Sequence, residues 1–548
     1  MFGKALLVAL AIAVVVEGGV HVGSKAATDC SVGLTPTVTF VTSCATVSSL
    51  DAACWTPHAP GADDVVLLPG GTAASIPFEE TFTPFSVKSA TIAGGAKITM
   101  NGGAIVVTEC LQVEGTLLLD TAKKIDNGTW TSTVYPADSS VPMVTDCAAV
   151  PRGFSPRICG PGTVYVAGSL TLNGLFASLW AQTTVASSAA LSFNDESFLW
   201  GAVTNYGSIS ANKRFFFHGS LVNQAGANAM FSELRADFWT VDPGQRNATL
   251  SFVNYGSVTF TLPKDYDYNY NYISTKDVNG TGFVTLSFEN HNDLLFVSWL
   301  RGPYSYCQPW GQIAFDLLNY GSTTWRGKQG YYGIGVATNY GAFLADQSQV
   351  GFSNYISDGG STIATNGGGF NLGLSDAAIE KLKSTGVRGP YISTVILTKS
   401  RMSSPDATGT FRLHAPIVMD SGLEISAGAT LSNEIPFEVS TMLLPGSNGV
   451  ITIGGALVTG KKDEMKGKSA SYVVLRTGSI VVPSASTTVL HADADLSIED
   501  SGLLHVEGSM ITREAKERKL RFQGHVFAIG AKNIQGEFSL DSVLTQID

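Results

Sequence analysis

Apolar and polar residues alternate along the chain in short runs that glycine interrupts. LQVEGTLLLD (111–120) and VYVAGSLTLNG (164–174) both read apolar-x-apolar, then small or polar residues with Gly, then apolar-x-apolar again. LEISAGATLS (423–432) and LHVEGSMIT (504–512) repeat the form. Alternation puts every second side chain on one face of a strand, and glycine permits a sharp corner between strands. The pattern predicts many very short strands joined by tight corners.

The tripeptide Asn-Tyr-Gly recurs between such runs, beginning at Asn205, Asn254, Asn319 and Asn339. The last two copies are 20 residues apart, and the longer intervals indicate insertions. Related phrases occur near Asn223 (LVNQAG), Asn290 (FENHND) and Asn354 (FSNYIS). A β-sandwich would fold its strands back antiparallel, whereas a loose period of this length favours a β-solenoid, in which each strand pairs with the strand one coil earlier.

In a solenoid, the asparagines at Asn-Tyr-Gly are expected to stack into a ladder of side-chain amides running parallel to the backbone hydrogen bonds. Asn also tolerates the left-handed conformation that a corner can require, Tyr would cover the corner, and Gly would complete the turn. The alternative is that Asn-Tyr-Gly is a favourable turn phrase in any β protein.

Helix signals are scarce, and only SDAAIEKLKSTG (375–386) is convincing, with Ser375 as its cap and Gly386 as its terminator. The sequence therefore predicts an all-β parallel β-helix, or β-solenoid, with loop insertions and one short helix. The predicted organisation is a signal peptide at 1–26, a disulfide-stapled N-terminal cap with the first coils at 27–160, an aromatic-rich central solenoid at 161–374, a helical excursion at 375–410, and C-terminal solenoid coils with a cap at 411–548.

The first residues, MFGKALLVALAIAVVVEGG, combine Lys4 with an uncharged apolar stretch at 5–16 and small residues after it. That order is typical of a secretory signal, and the stretch is short for a membrane span. No second apolar stretch of spanning length follows. We expect a secreted protein at an extracellular surface, without a membrane span after signal cleavage.

Composition supports a folded chain with many turns. The 548 residues include 59 glycines, 44% are hydrophobic and 14% are charged, which is too apolar for disorder. The net charge of −11 argues against a nucleic-acid partner, because phosphate binding needs a basic surface.

Cysteines and glycosylation motifs fit an oxidising compartment. Six of the seven cysteines lie in the first third, and the seventh, Cys307, is predicted to be either a buried free thiol or an intermolecular link. Cys147–Cys159 is the best local pairing, and spacing leaves the other pairings open. The disulfide candidates are Cys30, Cys44, Cys54, Cys110, Cys147 and Cys159, and the glycosylation candidates are Asn127, Asn247 and Asn279.

CWTPHAPGADDVVLLPGGTAASI (54–76) and SATIAGGAKITMNGGAIVV (89–107) place a Trp, a Pro-Gly-x-Asp-Asp turn, a valine-rich strand and Gly-Gly corners in order. Together they resemble the opening coils of secreted right-handed β-helix surface proteins. The Asn-Tyr-Gly coils are loosely similar to the N-terminal domain of fungal hyphally regulated cell-wall proteins. The resemblance covers roughly residues 50–360. It implies a right-handed helix and a rigid extracellular module that displays a surface and has no known catalytic residues.

Aromatic residues concentrate in the centre of the chain. In KDYDYNYNYIS (264–274) an extended backbone would put four tyrosines on one face, which predicts a stacking platform for sugar or protein, or else a tyrosine ladder over a sheet edge or a loop tip. Slim Val, Ile and Leu suit a solenoid core, so the large aromatics are expected partly outside it or in insertions, such as 301–312. The predicted binding residues are Tyr266, Tyr268, Tyr270, Tyr272, Trp299, Trp310 and Trp325.

Catalytic motifs are missing from the sequence, which contains no P-loop, G-x-S-x-G, H-E-x-x-H or EF-hand pattern and predicts no cofactor and no metal site. The leading expectation is a structural or adhesive surface or matrix protein that contacts an extracellular glycan or a surface protein. The alternative is a polysaccharide lyase or glycoside hydrolase of the parallel β-helix type, for which the candidates Asp265, Asp267, Asp277, Asp293 and Arg301 form no recognisable motif.

Overall fold

The structure is a computed structural model, and it describes the chain in segments. With side chains these are residues 30, 34–47, 52–76, 84–120, 156–173, 177–195, 197–217, 219–235, 249–261, 285–297, 316–327, 336–373, 394–406 and 408–412, a few single side chains within them excepted. The backbone alone is described for the strands at 273–274 and 310–314, for 330–335 and for the strands beyond residue 412. The predicted signal peptide at 1–26 and the predicted helix at 375–386 lie outside the described residues.

Parallel strands wind in coils whose three sides form three faces, called A, B and C in the order in which the chain visits them. Each strand pairs in parallel with the strand one coil before and one coil after it, as Ala202–Asn205 does with Gln182–Val185 and Ser220–Asn223. The chain is therefore a parallel β-solenoid, as the alternation and the recurring corner predicted.

Face A contains the following straight strands: Val38–Phe40, Val65–Leu68, Thr163–Val166, Gln182–Val185, Ala202–Asn205, Ser220–Asn223, Thr249–Asn254, Thr285–Asn290, Asp316–Asn319, Thr441–Leu444, Ala470–Val474, Ala494–Ile498, Leu520–Phe522 and Phe538–Leu540. Face B contains Ala73–Ile76, Lys97–Met100, Thr116–Leu119, Ser169–Leu172, Ala190–Phe193, Ser257–Thr261, Asp293–Val297, Ser322–Arg326, Ala342–Asp346, Ser361–Thr365, Val450–Ile453, Ser479–Val482, Leu503–Val506, His525–Ile529 and Leu544–Ile547.

Face C contains Arg157–Cys159, Ser178–Leu179, Ser197–Leu199, Ile273–Ser274, Trp310–Ala314, Gly369–Leu372, Thr410–Leu413, Thr430–Asn433, Ala456–Thr459, Thr487–His491, Ser509–Arg513 and Ile534–Gln535. Longer strands bend from one face into the next: Phe85–Ile92, Ala104–Val113, Gly330–Asn339 and Gln349–Asp358 from C to A, Ser208–Phe217 and Asn228–Arg235 from B to C, and Thr394–Ser403 and Ile417–Ile425 from A to B.

The first coil is covered by a small cap. Val38–Phe40 pairs in parallel with Val65–Leu68 on one side and antiparallel with Trp55–Thr56 on the other. A short 3-10 helix, Ala52–Cys54, precedes that antiparallel strand, and the Trp55 ring packs 4.9 Å from Phe40, centroid to centroid. The cap occupies the strand edge that the first coil would otherwise expose. Among the described residues, no helix is long and apolar enough to cross a bilayer.

Two disulfides have both partners described, one within this cap and one between Cys30 and the solenoid strand Ala104–Val113. Cys44 is bonded to Cys54, and Cys30 is bonded to Cys110 across 80 residues of sequence. Cys159 is disulfide-bonded as well, whereas Cys147, its predicted partner, lies outside the described residues, as does Cys307.

The core contains stacked aromatic rings, which corrects the expectation of a slim aliphatic interior. Inward-facing phenylalanines on successive coils lie face to face, as Phe252 does on Phe288 (4.4 Å) and Phe260 on Phe296 (5.1 Å). Strands in a sheet are about 4.8 Å apart, which is close to the distance between stacked rings. A column of rings therefore fills the interior without disturbing the register of the coils.

Trp325 was predicted to bind a ligand, and the structure shows that this is wrong. Its ring is fully buried in the column, 5.7 Å from Phe296 and 5.2 Å from Phe343. Trp325 is inward-facing in Ser322–Arg326, where alternation directs every second side chain to the core. A ligand at the surface has no access to it.

The corner between faces A and B is short throughout, and this positions the site described below. From Val65 to Leu413, two to four residues connect face A to face B where separate strands meet there. Over the same range, all the stretches of ten or more undescribed residues fall at the other two corners: 121–155, 236–248, 262–272, 275–284, 298–309 and 374–393. The A–B corner therefore forms a continuous edge along the solenoid.

Candidate functional site

Six asparagines on consecutive coils form a hydrogen-bonded ladder just inside the A–B corner. Each side-chain amide nitrogen donates to the Oδ1 atom of the next asparagine, over 2.7 Å in the first pair and 2.8 Å in the other four. All six side chains are fully buried. The asparagine ladder consists of Asn205, Asn223, Asn254, Asn290, Asn319 and Asn339.

The second N–H of each ladder amide donates to a backbone carbonyl of the next coil. Asn254, for example, donates to the carbonyl oxygen of Asp293 over 3.0 Å, and its Oδ1 atom accepts from the backbone N–H of Gly256 over 3.1 Å. The Asn254 amide thus links two coils and closes its own corner. Buried amides are stable only when they are paired in this way, which explains why a polar row can occupy the core edge.

The structure gives a different reason for Asn and Gly at this corner from the left-handed backbone that was expected. None of the ladder asparagines has a positive φ, and neither does Gly207, Gly256, Gly321 or Gly341. Instead, a Cβ atom on Gly341 would lie 2.1 Å from the carbonyl oxygen of Gly321 in the preceding coil. Glycine is required there because the coils approach closely, and asparagine because its amide bonds the coils.

Two ladder members, Asn223 and Asn290, occur in tripeptides that only partly match Asn-Tyr-Gly. Each contributes a coil between two complete copies, which explains why the complete copies are irregularly spaced along the sequence. The third related phrase has a different outcome. Asn354 lies outside the ladder, because the residue paired with Asn339 in the next coil is Ser357. The useful sequence signal is an Asn that ends an alternating apolar run directly before the corner, with or without Tyr after it.

Four aromatic rings form a stack on the outer side of the same corner, which we call the aromatic strip: Tyr255, His291, Tyr320 and Tyr340. The ring centroids are separated by 4.5, 4.9 and 5.1 Å in that order, and the ring planes are within 20° of parallel. Tyr255 and Tyr320 are exposed by 39% and 40%, which is unusual for large side chains in the described part of the chain. The asparagine ladder fixes the spacing of the corners and therefore the spacing of these rings.

The aromatic strip has a polar contact beside it, and its tyrosine hydroxyls are uncharged. His291 Nε2 lies 2.6 Å from Oε1 of Glu289 on face A. Partial burial raises the pKa of the Tyr255 and Tyr320 phenols above 10, and the Glu289 carboxylate raises both further. The phenols therefore remain hydrogen-bond donors throughout the neutral range.

The strip ends at Tyr340. The next coil has Asp358, Gly359 and Gly360 at the corner, and the coil after that has Lys399 there. Burial first, and the Asp358 carboxylate second, raise the pKa of the Tyr340 phenol. Asp358 and Lys399 are both exposed.

A second aromatic cluster lies on the outer side of face C. Trp180 stacks on Trp200 at 4.6 Å, and Phe198 stacks on Phe216 at 4.5 Å. Phe198 is only 6% exposed, and the two tryptophans are half-buried. This cluster is thus largely covered and offers less accessible ring surface than the aromatic strip.

Most of the sequence-predicted binding residues lie outside the described part of the chain. This applies to Tyr266, Tyr268, Tyr270, Tyr272 and Trp299, and to the glycosylation candidates Asn127, Asn247 and Asn279. For Trp310 the structure gives only the backbone, in Trp310–Ala314 of face C. Sequence reasoning assigned Tyr255, Tyr320 and Tyr340 to covering the corners, and it did not place His291 with them.

The acidic side chains at the B–C corner accept hydrogen bonds from neighbouring coils and loops. They do not face one another across a groove. Asp346 accepts from Arg326 Nε (3.2 Å) and from the side-chain nitrogen of Asn366 (2.8 Å). Asp406 accepts from the backbone N–H groups of Asn366 (2.5 Å) and Thr408 (3.1 Å). Asp293, the one described member of the acidic catalytic candidates, is exposed on face B. Within the described residues, no group of three or more His, Cys, Asp or Glu side chains is arranged to hold a metal.

Replacing Asp406 with alanine is expected to lower stability at pH 7 but not at pH 2. The backbone N–H of Asn366, followed by that of Thr408, lowers the pKa of the Asp406 carboxyl to about 2. Since a depressed pKa stabilises the fold above the unfolded value of about 3.9, this contribution is lost as pH falls from about 4 through 2. Thermal unfolding of both proteins at several pH values measures the effect. Asp293→Ala is the matched control, and an equal response in the two variants would contradict the assignment.

No family model matches the chain, and the comparisons with curated proteins and with solved structures also found no significant match.

Proposed function

We propose that the chain is a secreted structural or adhesive protein of a cell surface or extracellular matrix, in which the solenoid is a rigid rod and the A–B corner is the contact surface. The observation that carries the proposal is that the buried asparagine ladder and the exposed aromatic strip run side by side along this corner. Extracellular glycan or surface protein is the partner that this surface suits.

Rigidity follows from how the coils are linked. Neighbouring coils share backbone hydrogen bonds on three faces and a continuous core. The coils from Asn205 to Asn339 also share the asparagine ladder, so none of these coils can tilt without breaking buried bonds. The twenty face A strands from Val38–Phe40 to Phe538–Leu540, spaced by roughly 4.8 Å, give a rod about 90 Å long. A protein that spans distance between surfaces needs this length and stiffness.

The aromatic strip provides groups that can bind a glycan or protein partner. Its ring edges and phenol hydroxyls are repeated at the coil spacing, and the rings are held by their neighbours before any partner arrives. Pre-ordered aromatic groups lose little side-chain entropy on binding, which favours them in contact surfaces. Several weak contacts in a row give avidity.

A catalytic role would require two carboxylates facing one groove. In the described part of the chain, Asp346 and Asp406 are held by Asn366, and Glu289 is hydrogen-bonded to His291. No observation favours the lyase or hydrolase alternative, so it is not proposed.

Beads coated with the purified protein are expected to adhere to the isolated cell envelope or extracellular matrix of the source organism. Replacing Tyr255, Tyr320 and Tyr340 together with serine should reduce the number of attached beads at least about tenfold, because three ring contacts of about 0.5–1.5 kcal/mol each are removed. Thermal stability should change little, since the rings lie outside the core.

Tyr165→Ser is the matched control, because Tyr165 points outward on face A, away from the strip. Failure of wild-type beads to adhere would refute the proposed function. Adhesion by the triple variant at the wild-type level would leave the adhesive function standing and exclude the strip as its contact surface.

A further inference from the structure

The two inner rings of the aromatic strip have an aromatic neighbour on each face, but Tyr340 does not. His291 lies between Tyr255 and Tyr320, and Tyr320 lies between His291 and Tyr340. Among the described residues, no ring packs on the face of Tyr340 that points to the next coil. The stack therefore ends with an uncovered aromatic face.

The next coil leaves the position of the missing ring open. Ser357 and Ser361 pair with Asn339 and Ala342, so Asp358, Gly359 and Gly360 occupy the corner that Tyr340 and Gly341 occupy one coil earlier. A Cβ atom on Gly359 would meet no atom within 4 Å. A Cβ atom on Gly360 would lie 2.5 Å from the carbonyl oxygen of Asn339, so the backbone itself is packed tightly against the ladder. The result is an open slot above a firm backbone floor.

The far side of the slot is formed by the coil that contains Lys399. Thr398 and Arg401 pair with Asp358 and Ser361, which places Lys399 at the same corner. Two coil spacings, about 10 Å, separate the corner of Tyr340 from that of Lys399. One ring stacked on Tyr340 fits this height, and the strip already shows that each stacked ring occupies one coil spacing.

The polar groups at the slot suit hydroxyl donors. The Asp358 side chain is exposed and makes no hydrogen bond or ion pair within the described part of the chain, so its two carboxylate oxygens are available as acceptors. Tyr340 lies at the same corner one coil earlier, and its phenol hydroxyl can act as a donor and an acceptor. A carboxylate beside an open aromatic face matches a ring that has C–H bonds on its face and hydroxyls on its edge.

We propose that the slot bounded by Tyr340, Asp358, Gly359 and Lys399 binds one pyranose ring of a neutral extracellular glycan. The C–H face of the sugar packs on the Tyr340 ring, and two sugar hydroxyls donate to the Asp358 carboxylate. The opposite charges of Asp358 and Lys399 give the slot no net charge, which favours a neutral sugar over a uronic acid or an amino sugar. This inference rests on the proposed adhesive function and identifies the chemical class of its partner.

Saturation-transfer NMR and titration calorimetry on the full secreted chain test the slot with six soluble tetrasaccharides. Four are neutral, with repeating β-1,4-glucose, β-1,3-glucose, β-1,4-mannose or β-1,4-N-acetylglucosamine units, and the other two are a tetragalacturonate and a glucosamine tetramer. We expect at least one neutral probe to bind. Gly359→Asn should weaken that binding about tenfold, the effect of losing one ring contact, because Asn tolerates the positive φ of 70° and fills the slot.

Gly71→Asn is the matched control, since Gly71 lies at an A–B corner away from the aromatic strip, with a φ of 82° and similarly open space. It should bind like the wild type. Tyr340→Leu, which keeps the apolar bulk and removes the ring face, should reproduce the loss if Gly359→Asn fails to fold. The slot is disproved if no neutral probe binds, if only a charged probe binds, or if the folded slot variants bind as well as Gly71→Asn does.

The bead assay distinguishes failure of the proposed glycan slot from failure of the proposed adhesive function. Wild-type adhesion without binding of any neutral probe leaves the adhesive function in place and removes the slot. Absence of wild-type adhesion removes the function, whatever the tetrasaccharides show.

Discussion

Replacing Asn254 with alanine is expected to reduce the free energy of unfolding by about 3–6 kcal/mol, because several buried polar groups lose their partners together. The Asn223 amide nitrogen loses its acceptor, the Oδ1 atom of Asn290 loses its donor, and the backbone N–H of Gly256 loses its acceptor. The site is fully buried, so water replaces the lost side chain poorly.

Urea denaturation measures the loss for Asn254→Ala, with Asn212→Ala as the matched control. Asn212 also donates to an asparagine one coil away, Asn194, over 3.2 Å, but this pair is exposed. A change within about 0.5 kcal/mol is expected for the control. Similar losses in the two variants would mean that the buried ladder contributes no more than an exposed pair.

Trp325→Ala is expected to reduce stability by about 3–5 kcal/mol, because it leaves a large cavity in the ring column. Trp325 is in contact with Phe296, Phe343, Phe352 and Phe370, so four rings lose a neighbour. Glycan binding and bead adhesion per folded molecule should be unchanged, since the ring does not reach the surface.

Trp325→Phe is the control for the column. It retains a ring, and it removes a buried indole N–H that has no hydrogen-bond partner among the described residues, so the cost should stay below about 1.5 kcal/mol. Calorimetric unfolding compares the two variants. A Trp325→Ala protein as stable as the wild type would contradict the buried position, and a Phe variant as unstable as the Ala variant would contradict the stacking argument.

The coil architecture could be predicted from the sequence because each coil repeats a local rule. Alternation determines which side chains point inward, and glycine marks where coils come closest, as the 2.2 Å approach of a Cβ at Gly207 to Ala186 shows. The ladder could be inferred from Asn-Tyr-Gly at four positions, but full membership required the register. A sequence pattern cannot show that Ser357, rather than Asn354, pairs with Asn339.

The aromatic residues were harder to assign, because a ring next to a strand pattern fits either a core column or a surface row. Trp325 and Tyr320 both follow Asn319 closely, yet one is fully buried and the other is 40% exposed. Within a strand, odd or even position determines whether a side chain points into the core, as it does for Trp325. This rule does not apply to Tyr320, because it lies at a corner between two strands. The open slot beside Tyr340 is defined by an absent side chain at Gly359, which becomes meaningful only when adjacent coils are aligned.

The asparagine ladder also gives the A–B corner a net dipole along the solenoid axis. Every amide donates toward the C-terminal coils, from Asn205 to Asn339, so the six side-chain dipoles point the same way. Aligned dipoles polarise one another, and their positive N–H ends face the coil of Asp358. A negative charge is therefore stabilised at that end of the row and disfavoured at the end that begins with Asn205. The two ends of the edge differ in electrostatic potential although their backbone geometry is alike.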